Sequence, residues 1–376
     1  MAGEWPIKQL GEIVINLDSK RIPLSSRERE RRRGHYPYYG ANGVIDYVDD
    51  FLFDGLHVLI AEDGSVEKDD GTPFVQIVEG KFWVNNHAHV LRASTDIDTK
   101  FLYYALSTIR VRPFLTGSVQ AKLSQQNLNR IPIPYPPEVE RRAIAAVLGA
   151  LDDKIELNRR MNRTLEAIAQ AVFREMMKDV EEEGSILEFA DLLSGGTPST
   201  AEESYWNGDI EWVSAKDVSS ADGVFLLDTE KKITQAGIDH SSTKLLPAKT
   251  TIVTARGTVG AHCMLGKPMT MNQTNYGLKA KEGIGDYFVY FALSEMVEQL
   301  KQQSYGTIFD TITTKTFHSV LCPRPSLGVI QQFEERVTPL MDAILNNLKQ
   351  SRTLAALRDA LLPKLMRGEV RVTVHE

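Results

Sequence analysis

The sequence predicts an α+β protein in which two globular blocks are separated by two long antiparallel coiled-coil helices, the whole forming a pseudo-two-fold internal repeat. Three observations predict this fold. The second half of the chain repeats the first, two segments carry the apolar spacing of a coiled-coil seam, and short apolar runs bounded by Gly, Asp and Pro are typical of strands. Helices do not alternate regularly with these runs, which disfavours a doubly wound parallel sheet.

The repeat is clearest where each half ends. Residues 134–177 align with residues 323–366 without a gap, and the segment FLYYALS at 101–107 is answered by FVYFALS at 288–294. The resulting order is block, helix, block, helix. The predicted boundaries are a first block at 1–137, a central helix at 138–180, a second block at 181–325, and a C-terminal helix and tail at 326–376.

The two helical segments each carry residues that alternate four and three apart, as in a coiled coil. The seam positions are Leu151, Ile155, Asn158 and Leu165 in one helix and Leu340, Ile344, Asn347 and Leu354 in the other. Each seam must be buried, and a block lies between them in the chain, so the simplest closed arrangement packs them antiparallel on each other. The two seam asparagines either form a buried amide pair that sets the register or face solvent and bond local backbone.

Prolines and capping residues predict where these helices begin and end. Pro137 suits the start of the central helix, and Ser326 suits the N-cap of the C-terminal helix. Pro339 predicts a kink in that helix, and Pro363 predicts the end of its regular part.

Each block is predicted to mix short strands with short helices. The strand-like runs are 56–61, 74–78, 210–213 and 251–254. The repeated aromatic segments are predicted as short helices, with Asp98 and Asp286 as their N-caps.

The composition is that of a soluble globular protein with two or three domains, since 42% of the 376 residues are hydrophobic and 25% are charged. Neither a membrane-length apolar run nor a signal-type N-terminus is seen, which predicts a cytoplasmic protein without membrane contact. Cys263 and Cys322 lack metal-ligand spacing and fit a reducing compartment. The net charge of −7, taken alone, argues against nucleic-acid binding.

The repeated layout nevertheless suits a reader of double-stranded DNA. Two unlike blocks on a rigid spacer can contact two half-sites about one helical turn, roughly 34 Å, apart. The blocks differ in sequence, so the half-sites are expected to differ too.

The residues resemble the DNA-specificity (S) subunits of type I restriction-modification systems. The matching motifs are Gly195-Gly196-Thr197-Pro198-Ser199, Tyr205-Trp206, Ile210-Glu211-Trp212-Val213-Ser214, the 254–260 segment TARGTVG, Asn272-Gln273, and the helix text from Leu151 to Gln170. The first block departs from this pattern: it lacks the Gly-Gly-Thr-Pro-Ser start and has Glu62-Asp63-Gly64 where the second has Ala255-Arg256-Gly257.

The resemblance implies a non-catalytic subunit whose two blocks are target-recognition domains for a bipartite asymmetric site with a fixed-length spacer. It implies that two methylation subunits dock on the helices and modify an adenine in each half-site, and that restriction subunits join the same complex. S-adenosylmethionine and Mg-ATP are expected on those partners, and no cofactor or metal is expected on this chain.

Candidate DNA-contacting residues fall in two places. In the first block the candidates lie in a basic run from Lys20 to Arg33 or just after it. They are Lys20, Arg21, Arg27, Arg29, Arg31, Arg32, Arg33, His35 and Tyr38. In the second they are Lys216, Arg256, Asn272 and Gln273. The basic run is alternatively a solvated surface helix, and Asn272 and Gln273 are alternatively scaffolding of an irregular turn.

The sequence also bears on two other classes of function. A hydrolase or transferase is disfavoured because no catalytic constellation recurs in both halves: Asp152-Asp153 is predicted to be a solvated helix face, and His87 and His89 to be packed or exposed rather than metal ligands. A non-catalytic coiled-coil scaffold with two protein-binding heads remains open and is favoured by the net negative charge.

Overall fold

The computed structural model describes residues 5–117, 120–303 and 311–372, and the side chains of all of these except 302 and 303. The chain divides into two compact units, Met1–Ile155 with Thr353–Glu376, and Glu156–Arg352. Both long helices contribute to each unit, because the division falls within them.

Within the described residues the helices and strands follow one another in a mixed order. The helices are α1 Leu10–Ile13, α2 Ser26–Arg31, α3 Asp96–Leu106, α4 Gln125–Asn129, α5 Glu138–Met177, α6 Ala215–Ser219, α7 Gln235–Asp239, α8 Asp286–Gln303, α9 Thr314–Ser319 and α10 Leu327–Met366. The strands are β1 Ile7–Gln9, β2 Ile15–Asn16, β3 Arg33–Gly40, β4 Gly43–Val48, β5 His57–Ala61, β6 Val75–Val78, β7 Trp83–Val84, β8 Ala88–Arg92, β9 Pro132–Pro134, β10 Glu183–Ser185, β11 Ala190–Ser194, β12 Trp206–Val213, β13 Phe225–Leu226, β14 Lys232–Ile233, β15 Thr251–Thr254, β16 His262–Leu265, β17 Thr270–Met271, β18 Asn275–Ala280 and β19 Leu321–Pro323.

The two units repeat one sheet plan, which the second unit extends by a fifth strand, β13, added parallel to β16. The first unit has the strand orders β2-β8-β5-β6, β4-β3-β7 and β1-β9, and the second has β11-β18-β15-β16-β13, β14-β12-β17 and β10-β19. The three-stranded sheet of each unit contains one parallel pair, β3 with β7 and β12 with β17. The strands are otherwise mainly antiparallel. The predicted α+β class and internal repeat are confirmed.

The core of each unit lies between a sheet and helices. In the first unit every residue of β5 is buried, and α3 packs Phe101 and Leu102 against Leu148 of α5 and Leu365 of α10. In the second unit α8 fills the corresponding place. Burial of these apolar side chains supplies the main driving force for folding.

An aromatic cluster anchors both long helices to the second unit. Phe173 of α5 lies 5.4 Å from Phe333 of α10 and 5.9 Å from both Phe288 and Phe291 of α8, between ring centroids. Such pairs stabilise a core beyond the area that they bury.

The long helices pack antiparallel within each unit, as predicted. In the second unit Asn158 of α5 contacts Asn347 of α10, and Asn162 contacts Asn347 and the earlier residue Ile344. Later positions of α5 thus meet earlier positions of α10, as in an antiparallel pair. In the first unit Asp152 of α5 meets Arg358 of α10. The eight seam positions are all buried or half-buried.

Asn158 is buried and Asn347 is half-buried, but the two do not pair with each other through their side chains. Asn158 Nδ2 donates to the carbonyl of Asn347, to Gln350 Oε1 and to Ser351 Oγ at 2.9–3.3 Å, whereas Asn347 Nδ2 donates to Asn162 Oδ1 at 2.9 Å. Asn158 Oδ1 is buried without a hydrogen-bond partner. Neither predicted alternative holds as stated, because the amides contact the other helix rather than solvent or local backbone, yet they do not form a pair.

The helix starts differ from prediction in the two aromatic segments. The N-cap of α3 is Thr95, whose hydroxyl accepts from the Asp98 N–H at 3.1 Å, so Asp98 lies in the first turn and its carboxylate instead pairs with Arg141 at 2.6 Å. Asp286 is likewise the first residue of α8 and pairs with Lys279. A carboxylate in the first turn interacts favourably with the helix dipole and stabilises the helix without being its N-cap.

Two further predictions about the long helices are wrong. Pro363 does not end α10, which continues to Met366, because Leu365 and Met366 are buried in the core of the first unit and their packing outweighs one lost hydrogen bond. Asp152 is not a solvated residue: it accepts from Tyr104 Oη and Arg358 Nη1, each at 2.6 Å. Helices α5 and α10 begin directly after Pro137 and Ser326, as predicted. Helix α10 runs through Pro339 without a break, and the kink there stays a prediction.

In the parts of the chain that the structure describes, no helix has the length and the apolar content needed to cross a membrane.

Candidate nucleic-acid interface

The basic run of the first unit forms a short helix and the strand that follows it. Ser25 caps α2 through a reciprocal capping box with Glu28, and β3 then pairs with β4 as an antiparallel hairpin. The hydrogen bond to Ser25 lowers the pKa of Glu28, so this carboxylate is charged and stabilises the cap.

Two arginines of this run point inward and fasten α2 to the hairpin. Arg29 lies over the buried Tyr38 ring at 5.2 Å and pairs with Asp46 at 3.0 Å. Arg32 lies over the Trp83 ring at 4.8 Å and pairs with Asp49 at 2.9 Å. Both cations are therefore balanced by carboxylates of the same unit and by aromatic faces.

Tyr38 is also an internal residue. Its ring is buried, and its hydroxyl oxygen accepts from the backbone N–H of Leu24 at 2.8 Å. It thus supports the loop before α2 in this structure.

Arg21 belongs to a separate cluster of charged side chains. Its Nη1 donates to Glu62 at 2.7 Å and to the carbonyl of Ala88 at 2.8 Å. Asp18 and His89 complete the cluster, with 2.5 Å between Asp18 Oδ2 and His89 Nδ1. Burial acts to raise the pKa of Asp18, but the hydrogen bond and the charge of His89 act more strongly in the other direction. The pKa is therefore lowered overall, and the carboxylate is ionised at neutral pH.

This cluster has the residue types of a metal site but not the electrostatics of one. Ligand atoms of Asp18, Glu62 and His89 lie within 4.8 Å of one another. However, Arg21 and Lys122 already neutralise Glu62, and His89 Nε2 contacts the carbonyl of Leu123 at 2.7 Å. We therefore interpret the cluster as an ion-paired brace between loop and sheet. His87, by contrast, is exposed beside Asp63.

The remaining cations of the run are available to a ligand. Lys20, Arg27, Arg31 and Arg33 are exposed, and none of them has an ion-pair or hydrogen-bond partner among the described residues. His35 is exposed on the same strand as Arg33. Arg27 and Arg31 lie four residues apart on α2 and thus share one face of it. The structure brings Arg27, Arg31, Arg33 and His35 together on one continuous α2–β3 segment.

The second unit uses its candidate residues differently. Asn272 Oδ1 accepts from the backbone N–H of Thr274 at 3.1 Å and from its hydroxyl at 2.8 Å, while Gln273 is exposed and accepts from the hydroxyl of Thr197. Lys216 pairs with Glu230 at 2.7 Å, and Arg256 is exposed with no partner among the described residues. The turn-scaffolding interpretation thus accounts for Asn272.

The glycines of the 195–199 motif explain how this turn is built. A Cβ on Gly195 would lie 2.1 Å from the carbonyl oxygen of Asn272, and a Cβ on Gly196 would lie 2.5 Å from the backbone nitrogen of Thr243. Only glycine allows these backbones to approach so closely. The motif therefore holds Gln273 and Thr197 side by side at an exposed turn.

Sequence reasoning missed one feature of the first unit. Strand β4 is the edge strand of its sheet, yet it exposes Val44, Ile45 and Tyr47. Exposed edge strands usually carry charges instead. A signal was present, because the Gly-Val-Ile-Asp-Tyr-Val run has a single charge, but only the pairing with β3 shows which residues face outward.

Comparison with known proteins places these features in a family. A family model described as "Type I restriction modification DNA specificity domain" matches residues 2–167 and 177–351. The type I restriction enzyme MjaIX specificity subunit of Methanocaldococcus jannaschii is 25% identical over 339 residues, covering 80% of this chain and 75% of that protein. The HindI specificity subunit of Haemophilus influenzae is 24% identical over 328 residues, covering 66% of this chain and 71% of that protein.

A higher identity is confined to part of the chain. Another type I specificity subunit of Haemophilus influenzae is 40% identical over 148 residues, and this alignment spans 37% of that relative's length. Among solved structures, the type I restriction-modification S subunit from M. genitalium shares the fold with a TM-score of 0.62 and 17% identity, over 97% of both chains.

Proposed function

The chain belongs to the family of type I restriction-modification DNA-specificity proteins, and we propose that it recognises a bipartite, asymmetric DNA site with a fixed-length spacer and docks the methylation and restriction subunits. The observation that carries this proposal is that one chain holds two units which share a sheet plan, apart from the added strand β13, and differ in surface chemistry. Units of one topology suit equivalent positions on a duplex, and different side chains suit different half-sites.

In the first unit the proposed contacts are made by the cations that have no partner in the described structure. Lys20, Arg27, Arg31 and Arg33 are placed to meet phosphates, and His35 to approach base edges. Arg21, Arg29, Arg32 and Tyr38 would then act indirectly, by holding the loop, helix and hairpin in position.

In the second unit the proposed contacts come from Gln273 at the glycine-built turn and from Arg256. Gln273 carries an amide that can donate to and accept from an adenine edge, and Arg256 can reach a phosphate or a guanine. Lys216 can contribute only after leaving Glu230, and Asn272 supports Gln273 through the turn.

The chemistry is proposed to belong to the partners. Two methylation subunits would bind S-adenosylmethionine and modify adenine N6 in each half-site, and restriction subunits would bind Mg-ATP, in the cytoplasm where the DNA lies. This chain would supply recognition and the platform for assembly. Its net charge of −7 predicts weak DNA binding in isolation, since much of the phosphate attraction would then come from the partners.

The proposal is tested by reconstituting the full chain with its methylation subunits and mapping methylated adenines on genomic DNA. The expected product is one split motif with two unlike arms and a constant gap, which footprinting should cover on both arms. Protection of no DNA, or of a single uninterrupted short site, would contradict it.

A scaffold that binds proteins through both units is the second candidate, favoured by the exposed apolar side chains of β4. It predicts an assembled complex in which this chain leaves no footprint.

A further inference from the structure

The β3–β4 hairpin of the first unit is a two-stranded ribbon held by its inner face. Tyr38, Val48 and Trp83 form a small buried core beneath it, and Arg29 and Arg32 fasten α2 against the same side. At the tip, Gly40 pairs with Gly43, whose φ of +147° is a conformation that other residues rarely adopt. The ribbon is therefore anchored at its base and narrow at its end.

Strand β4 exposes three apolar side chains, of which Ile45 also lies beside Gly40 at the tip. Ile45 and Tyr47 are each 53% exposed and Val44 is 41% exposed. Ile45 lies at a bulge, because Tyr38 pairs with Asp46 while the next residue, Tyr39, pairs with Val44. A bulge re-aims a side chain and commonly occurs next to functional sites. Exposed apolar side chains are unusual on an edge strand, because an apolar edge tends to pair with strands of other chains.

The charge around the ribbon indicates what covers it. Arg33 stands at its base opposite Val48, and the exposed Arg27 and Arg31 lie on the adjoining helix. None of these side chains has a direct ion-pair or hydrogen-bond partner in the part of the chain that the structure describes, although Arg31 and Arg33 lower the pKa of Glu28 and of Asp46 through space. An apolar strip flanked by exposed arginines without direct ion pairs complements a polyanion that also offers apolar groups, rather than an apolar protein surface.

Double-stranded DNA offers both in its major groove. The groove is about 12 Å wide and about 8.5 Å deep, admits a two-stranded ribbon, and presents the 5-methyl group of thymine. Ile45 lies three positions before Val48 at the base, a reach of about 10 Å at the rise of a strand. A ribbon resting on its basic end can therefore bring its apolar side chains to the floor of the groove.

We propose that the β3–β4 hairpin enters the major groove of one half-site and that Ile45 and Tyr47 distinguish thymine there by contact with its 5-methyl group. This inference rests on the proposed DNA-reading function and assigns specificity to side chains outside the basic run. Among the described residues of the second unit, the corresponding edge strand β14 lacks such a strip, since it consists of Lys232, which pairs with Glu211, and the buried Ile233. The methyl readout is therefore confined to one arm.

The test uses the full chain assembled with its methylation subunits and a labelled duplex carrying the mapped site. Each thymine in both arms is replaced in turn by deoxyuridine, which removes the methyl group and leaves the pairing edge unchanged. The wild-type complex is expected to lose about four-fold in affinity per contacted methyl, in one arm only. Ile45→Ser and Tyr47→Ser are each expected to abolish the difference between thymine and deoxyuridine at the position that they contact.

Ile7→Ser is the matched control, since Ile7 is 70% exposed on β1, away from the hairpin. It should retain full sensitivity to deoxyuridine. Because all three side chains are exposed, the melting temperature of each variant should stay close to that of the wild type, which is checked by thermal unfolding.

Each other result overturns the inference. Mapped arms without a thymine, insensitivity of both arms to deoxyuridine, or unchanged sensitivity in Ile45→Ser and Tyr47→Ser would refute methyl readout while leaving the bipartite reader intact. Loss of methylation subunits from these variants on size-exclusion chromatography, with deoxyuridine without effect, would show that the strip binds protein. Failure of the wild-type complex to recognise any split site would refute the proposed function itself.

Discussion

The division of the basic run into paired and unpaired arginines makes a quantitative prediction about salt. Arg27, Arg31 and Arg33 are exposed without described partners, whereas Arg21, Arg29 and Arg32 are held by carboxylates at 2.7–3.0 Å. Only the first set can release counterions from DNA phosphates without first breaking an ion pair. Replacing that set by glutamine should therefore change the salt dependence of binding, and replacing the second set should not.

The magnitude follows from the number of phosphate contacts. Each contact contributes about 0.9 to the slope of log K against log salt, so Arg27→Gln, Arg31→Gln and Arg33→Gln together should reduce the slope by about 2.7. The same slope implies about five-fold weaker binding per lost contact at physiological salt, and on the order of a hundred-fold for all three. The sequence preference should be preserved, since phosphates carry no base identity.

The assay is fluorescence anisotropy of the assembled complex on its mapped site, titrated at several salt concentrations. The matched control replaces Arg21, Arg29 and Arg32 by glutamine. It should keep the wild-type slope and lower the stability of the first unit, most of all through Arg21, whose side chain is 13% exposed and whose loss leaves Asp18 and Glu62 without their shared cation. An unchanged slope in the unpaired set, or an equal loss of slope in the paired set, would refute the reasoning.

Three further predictions concern stability. Asn158→Asp should lower the free energy of unfolding by roughly 3 kcal/mol or more in denaturant unfolding, because it places a carboxylate among three acceptors in a buried seam. Asn158→Leu should be far better tolerated, and equal effects of the two substitutions would contradict this. Burial and the nearby Asp222 raise the pKa of Glu166, so the folded state favours the protonated carboxyl, and stability is lost as pH rises through the folded pKa. Glu166→Gln should therefore raise the melting temperature at pH 8 and leave it unchanged in acid. The pKa of Asp18 is lowered against the effect of burial, so its contribution is present at neutral pH and lost as pH falls through the folded pKa, and Asp18→Asn should melt earlier at pH 7 with a difference that shrinks towards pH 3.

The repeat, the long helices and their antiparallel packing could be predicted from sequence because their signals are local or periodic. A seam residue recurs every three or four positions, and Asn158 and Asn347 occupy matching places in the two halves. Errors arose where tertiary packing overrode a local rule. Pro363 should end a helix on its own, yet α10 continues because the following residues enter the core.

The candidate site could be predicted only as a composition. The basic run marks the segment, but its arginines have nearly identical local sequence, and the acids that neutralise Arg21 and Arg29 lie 41 and 17 residues away at Glu62 and Asp46. Nothing local indicates that His89 closes on Asp18 across 71 residues.

What the sequence by itself determined was therefore the duplicated plan and the chemistry available to it, since both are written in residue order and spacing. Which cations remain free, which asparagines meet across the helices, and which apolar residues of β4 stay outside were decided by the tertiary structure. The physical reason is that charge pairing and burial depend on distances through space, which the folded chain sets between residues far apart in sequence.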